Sequence, residues 1–141
     1  AFLNGLMILD LSPRHPTQVS RLYLGGGNGI DIDGSLVCVA AGKKGLCLVD
    51  VSDESAPLLS GSLVTPGDAR DVAVSGGFAF VADGAAGLQV VDVKRPDRPR
   101  AIASLDTPGE AEDVVLSGSR VFVGEITGVE ASFPGGGMPT V

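Results

Sequence analysis

Aromatic residues are scarce. The 141-residue chain has no Trp, one Tyr and five Phe, which argues against the stacking platforms that hold single-stranded nucleic acids or sugars. Basic residues are also outnumbered, 10 against 17 acidic, for a net charge of −7. A phosphate-binding surface does not fit that balance, so no nucleic-acid partner is expected, and cationic partners or simple solubility suit it better. Long apolar runs are missing too. The longest uncharged stretch runs from Ser55 to Gly67 and contains Pro57 and Pro66, so no membrane-spanning helix is expected in this segment. The single histidine, His15, excludes a multi-histidine zinc site and the usual haem motif, and no Gly-x-Ser-x-Gly elbow is present. Two cysteines, Cys38 and Cys47, leave the redox compartment open. What the chain has in plenty is apolar residues, 44% against 19% charged. That composition excludes a disordered segment, and the length suffices to bury a core.

Glycine and proline are abundant, at 21 and 9 residues, without a collagen period, which points to many short strands joined by tight turns. The turns recur. Shifting the chain by 42 residues lays Gly45–Ala86 on Gly87–Gly128 with 18 identities and no gap. These include Leu46/Leu88, Val49/Val91, Asp50/Asp92, Thr65/Thr107, Pro66/Pro108, Gly67/Gly109, Asp71/Asp113 and Phe80/Phe122. An earlier, looser copy spans residues 5–44, with Gly5–Leu11 matching Gly45–Val51 and Ile30–Gly42 matching Val72–Gly84. Each unit divides into four strand-like runs, in the last one Leu88–Val93, Ala101–Asp106, Glu112–Leu116 and Arg120–Glu125. Consecutive apolar positions such as Val72-Ala73-Val74 predict strands covered on both faces. No window shows helical spacing.

The expected fold is therefore all-β. It consists of four-stranded antiparallel β-propeller blades of about 42 residues, roughly three of them, in an incomplete ring. The partial propeller spans residues 1–126, in units 5–44, 45–86 and 87–128. Residues 129–141 read as a degenerate repeat start or a flexible Gly/Pro-rich tail. Val72, Val74, Phe80 and Leu46 are placed between blades.

Gly-Leu-Cys-Leu-Val-Asp-Val (45–51), Gly-Leu-Gln-Val-Val-Asp-Val (87–93), Asp-Val-Ala-Val-Ser-Gly (71–76), Phe-Ala-Phe-Val-Ala-Asp-Gly (78–84) and Thr-Pro-Gly (65–67) resemble the LVIVD-repeat family. The resemblance covers residues 5 to about 126. It implies a β-propeller of secreted or cell-surface bacterial or archaeal proteins and brings no catalytic residues with it. By analogy with propeller repeats, the Asp-Val-Ala-Val strand is innermost and the strand after Pro57 or Pro99 outermost.

Three blades are too few for a ring, since propellers have about four to eight. Either further blades of the same protein complete it, or a homo-oligomer closes it. The fragment is favoured, because neither end falls at a blade boundary and there is no initiator Met.

One cluster could carry chemistry. Asp68, Asp71, Glu110, Glu112 and Asp113 recur at the loop leading into the inner strand, at one rim of the channel. No cofactor is expected, although an oxygen-rich set there would suit Ca²⁺. The competing reading is that Asp71 and Asp113 cap turns and the rest are solvated, since no compact Asp-x-Asp-x-Asp-Gly calcium loop exists. Asp31-Ile32-Asp33-Gly34 comes nearest, but Asp33-Gly34 aligns with Ser75-Gly76, a hairpin turn. Asp10, Asp50 and Asp92 read as acceptors for the turns that follow them, and Lys94–Arg100 as a solvated basic loop or a docking patch for an acidic partner. Pairing Ala41 with Leu46 would put Cys38 and Cys47 diagonally on one sheet face, with buried free thiols favoured over a strained disulfide.

The expected function is a non-catalytic module for protein–protein interaction or scaffolding, secreted, periplasmic or at the cell surface. Two alternatives stand beside it. One is a cation-binding or hydrolase-type propeller whose site needs further blades, and the other is a subunit of a surface layer or filament.

Overall fold

The computed structural model describes residues 4–12 and 15–126. The reading of 129–141 as a repeat start or tail lies outside the described residues, which are all-β, without a helix. Twelve strands form four antiparallel sheets. An outer half-blade pairs β1 (Gly5–Asp10) with β2 (Thr17–Tyr23). Blade 2 is β3 (Gly29–Asp33), β4 (Leu36–Ala40), β5 (Leu46–Asp50) and β6 (Leu58–Leu63), in chain order. Blade 3 repeats that order in β7 (Asp71–Ser75), β8 (Phe78–Ala82), β9 (Leu88–Asp92) and β10 (Arg100–Leu105). An inner half-blade, β11 (Glu110–Ser117) and β12 (Arg120–Ile126), follows. The inner strands β3, β7 and β11 lie side by side, and the sheets do not close on themselves.

The strands form where the apolar pairs are, and the blades stack because both faces of each sheet are apolar. Leu46, Leu48 and Cys38 of blade 2 pack against Val72, Val74 and Val81 of blade 3 in the main core. Val37, Val39 and Val49 meet Leu6 and Ile8 on the side of the outer half-blade. Ala73 and Phe80 meet Val114 and Val123 on the side of the inner one. Val72, Val74, Phe80 and Leu46 thus sit between blades as expected. A register shift recurs at the same point of the third strand, at Ile8/Leu9, at Leu48/Val49 and opposite Val90/Val91. Such bulges sharpen the twist of each outer strand.

The turn punctuation follows from hydrogen bonding. The amides of Ser12, Ser52 and Lys94 donate to the carboxylates of Asp10, Asp50 and Asp92, at 2.9, 2.8 and 3.0 Å. These bonds hold the Asp50 carboxyl below its ordinary range, the Ser52 backbone amide being the main cause. Gly42 and Gly84 take φ of +63° and +60°, a conformation side chains resist. Each then forms a reciprocal backbone bridge to the next blade, Gly42 with Ala69 and Gly84 with Ala111, at 2.8–3.0 Å.

The cysteine geometry differs from the expected one. Ala40, not Ala41, pairs with Leu46, so Val39 faces Cys47 and Leu48 faces Cys38. The Ala41 amide instead donates to the Gly45 carbonyl and closes the turn there. A one-residue slip moves a side chain to the other face. Cys38 and Cys47 therefore lie in different cores, both buried and both free. Burial pushes the Cys38 thiol up to about 12, helped by the charges of Asp31 and Asp33.

Candidate functional site

The inner strands form one wall of a groove of about 470 Å³, lined by Asp31, Ile32, Asp71, Val74, Val114 and Leu116 among others. An inner strand is the edge of its own sheet, so every second backbone amide points away from the ladder and needs an acceptor. Carboxylates of the preceding blade supply it. The Val74 amide donates to Asp31 Oδ2 at 2.8 Å, the Gly76 amide to Asp33 Oδ2 at 3.1 Å, and the Val114 amide to Asp71 Oδ2 at 3.0 Å. All three bonds span 43 residues, one repeat plus one position. They pin each inner strand to the next.

At the rim, Arg70 immediately precedes β7 and reaches toward three of the five acidic residues picked out above. Its Nη1 bonds Glu112 Oε1, its Nη2 lies 3.6 Å from Glu110 Oε2, and its Nε lies 3.6 Å from Asp68 Oδ2. The hydrogen bond to Glu112 is the main cause that holds the proton on the guanidinium more firmly than usual, with the charges of Glu112, Asp68 and Glu110 adding to it against the opposing effect of desolvation. Asp71 is engaged with Val114, and Asp113 lies beside Gly124 in the β11–β12 hairpin. The structure thus gathers Asp68, Glu110 and Glu112 around a cation the protein itself provides. It does not bring Asp71 and Asp113 into that group. Among the described residues no group of three His, Cys, Asp or Glu is arranged to hold a metal.

A second carboxylate organises the Thr-Pro-Gly loop. Asp83 is fully buried at the end of β8 and accepts Thr65 Oγ1 at 2.6 Å and the Gly67 amide at 2.9 Å. Burial raises its pKa, against the lowering effect of those two donors. Glu125 repeats the role one blade on, accepting the Gly109 amide at 3.0 Å. His15 is exposed in the segment between β1 and β2, and Gly25–Gly29 connects β2 to β3.

Reading the sequence misses Arg70 as the organiser of the rim, takes Asp33 for part of a turn and gives Asp31 no role. Signals for both exist. Arg70 is the one base among the six acids of residues 45–86. Asp31, Asp33 and Asp71 each precede by 43 residues an amide on the exposed edge of the next inner strand.

No curated protein matches the chain. The family model described as LVIVD repeat matches residues 25–65 and 66–107, more than half of the sequence. Blades 2 and 3 are thus the structural form of the repeat, and the chain belongs to the LVIVD repeat family.

Proposed function

We propose that this chain is a non-catalytic β-propeller repeat module that works through protein–protein contacts, as a scaffold in a secreted or cell-surface protein. The observation that carries the reading is a contrast in how the surfaces are satisfied. In the groove and at the rim, the carboxylates of Asp31, Asp71 and Glu112 are engaged by backbone amides and by Arg70. The apolar surface beside the outer half-blade is not covered by any described residue. It lines a cavity of about 640 Å³ that includes Leu6, Ile8, Ile30, Ile32 and Val37. An exposed apolar surface of this kind marks an interaction site.

A photo-crosslinking amino acid at Ile32, in the source cells, tests the reading. A polypeptide adduct on the outer side of the cell membrane is expected. Recovery of the chain with no polypeptide attached overturns the interaction role.

A further inference from the structure

Four of the 10 basic residues of the chain, Lys94, Arg95, Arg98 and Arg100, are crowded into one short stretch of blade 3. They occupy the loop from β9 to β10 and the first position of β10. Together with Asp92 they line a shallow hollow of about 420 Å³. We propose that this hollow is a docking site for a short acidic stretch, rich in Asp or Glu, of a partner polypeptide. It adds a second contact surface to the interaction role, and rests on that reading for the partner being a polypeptide.

The repeat supplies an internal control for what the fold itself requires. The equivalent loop of blade 2, Ser52 to Pro57, takes the same turn. There the Ala56 amide donates to the Asp53 carbonyl at 3.0 Å, as the Arg98 amide does to the Arg95 carbonyl at 2.8 Å. Asp50 and Asp92 each accept the amide two residues on. Yet Ser52, Asp53, Ala56 and Leu58 stand where blade 3 has Lys94, Arg95, Arg98 and Arg100. The same backbone thus forms without a single base, so the cations are not needed to build it. Their exposure does not depend on what adjoins blade 3 either. Asp53, Ala56 and Leu58 are exposed although blade 2 is packed on both of its faces. Arg95, Arg98 and Arg100 are exposed at the same positions.

The cations are held in place and left without neutralising partners. Lys94 Nζ lies 4.6 Å from the centre of the Phe78 ring, and the Lys94 stem runs over Gly77, where a Cβ would not fit. The Pro96 carbonyl nests against Gly61 on β6 of blade 2, which likewise has no room for a side chain. Pro96 and Pro99 fix two further backbone angles. Asp92 gives its carboxylate to the Lys94 amide at 3.0 Å. Of the four bases only Arg95 has a carboxylate partner among the described residues, Asp97 at 4.0 Å. Both of those side chains are more than half exposed, so that pair is worth little. Arginine dominates the set, and its planar fork matches a carboxylate with two parallel hydrogen bonds. The surroundings limit the length of the ligand. Asp92 and Asp97 border the hollow, Asp53 and Glu54 lie on the equivalent loop of blade 2, and the net charge is −7. A long polyanion would run from the patch onto like charge, which a short run of carboxylates avoids.

Fluorescence anisotropy of a labelled oligoglutamate, titrated with the full chain at physiological ionic strength, tests the proposal. Saturable binding is expected. Arg95→Asp/Arg98→Ala/Arg100→Leu, which writes the blade 2 residues into blade 3, should weaken it by about tenfold or more. The circular dichroism and unfolding midpoint of that variant should stay close to those of the unaltered chain. Lys43→Glu/Lys44→Glu lowers the net charge by the same amount in the turn at the opposite end of blade 2. A strand length exceeds the screening distance, so this control should weaken binding by about twofold at most. No binding, equal weakening by the two variants, or a collapsed midpoint in the triple variant overturns the proposal. So does tighter binding of heparin or of single-stranded DNA of equal charge, which would make the site one for a non-protein polyanion. If the peptide does not bind and the Ile32 probe still captures a polypeptide, the interaction role survives and the basic docking site does not.

Discussion

Val74 and Ile32 occupy the same position in successive repeats, and their surroundings differ completely. Val74 lies in the core between blades 2 and 3, while Ile32 faces a cavity beside the outer half-blade. The same holds for the carboxylates. Asp71 bonds an amide on β11, and Asp113, one repeat later, has no further inner strand beside it among the described residues. Equivalent repeat positions thus form a core in one place and an open surface in another. The contribution of a repeat position depends on the neighbouring repeat, as it does in any stacked array.

The largest effect expected from breaking that comparison is in the buried junction. Leu48 is fully buried between blades 2 and 3, so Leu48→Ala removes packed methyl groups and leaves a cavity. A loss of about 2–5 kcal/mol is expected in urea unfolding. Leu9, on β1, is half exposed, and Leu9→Ala in dilute solution should cost about 1 kcal/mol or less. Equal losses at the two sites would show that the outer half-blade is as well covered as the interior.

A smaller effect separates the carboxylates. Asp71→Ala leaves the Val114 amide on the edge of β11 without its charged acceptor, and a cost of about 1–2 kcal/mol is expected. Asp113→Ala in dilute solution should change the unfolding midpoint little. A cost for Asp113→Ala as large as that of Asp71→Ala in the monomer would mean that the ladder does not depend on the next blade.

How much of this was legible in the sequence follows from how far each interaction reaches. The strands and the turns between them were readable because each strand is set by a run of apolar residues between Gly- and Pro-bearing turns, and the 42-residue offset repeats those cues. The loss of phase at the Cys38–Cys47 hairpin came from turn geometry. Whether Gly42-Lys43-Lys44 closes on Ala41/Gly45 or one residue later is decided by the positive φ of Gly42 and by the bridge from Gly42 to Ala69. That bridge belongs to the next blade and is invisible within the hairpin. Asp31 and Asp33 have the same difficulty, because their acceptor role exists only once β7 lies alongside β3. The acidic rim was legible as a concentration of charge but not as an ion cluster. The residue that defines it, Arg70, comes from the strand entrance of one blade and binds carboxylates of another.

Arg70 gives the smallest and most specific test. Its guanidinium is partly exposed, so the ion pairs are screened and Arg70→Gln should lower the thermal midpoint only slightly. The consequence for cations is sharper. With the internal cation removed, Asp68, Glu110 and Glu112 face one another with no compensating charge, and a hard divalent cation can relieve their repulsion. Calcium at about 1 mM, the affinity range of weak extracellular sites, should therefore raise the midpoint of Arg70→Gln and leave that of the unaltered chain in place. Differential scanning calorimetry with calcium and with an ionic-strength control of sodium chloride separates the two contributions. Equal shifts for both proteins, or an equal shift with sodium, would show that Arg70 is not what balances the rim. A calcium shift in the unaltered chain alone would mean that the carboxylates hold a divalent cation with Arg70 in place.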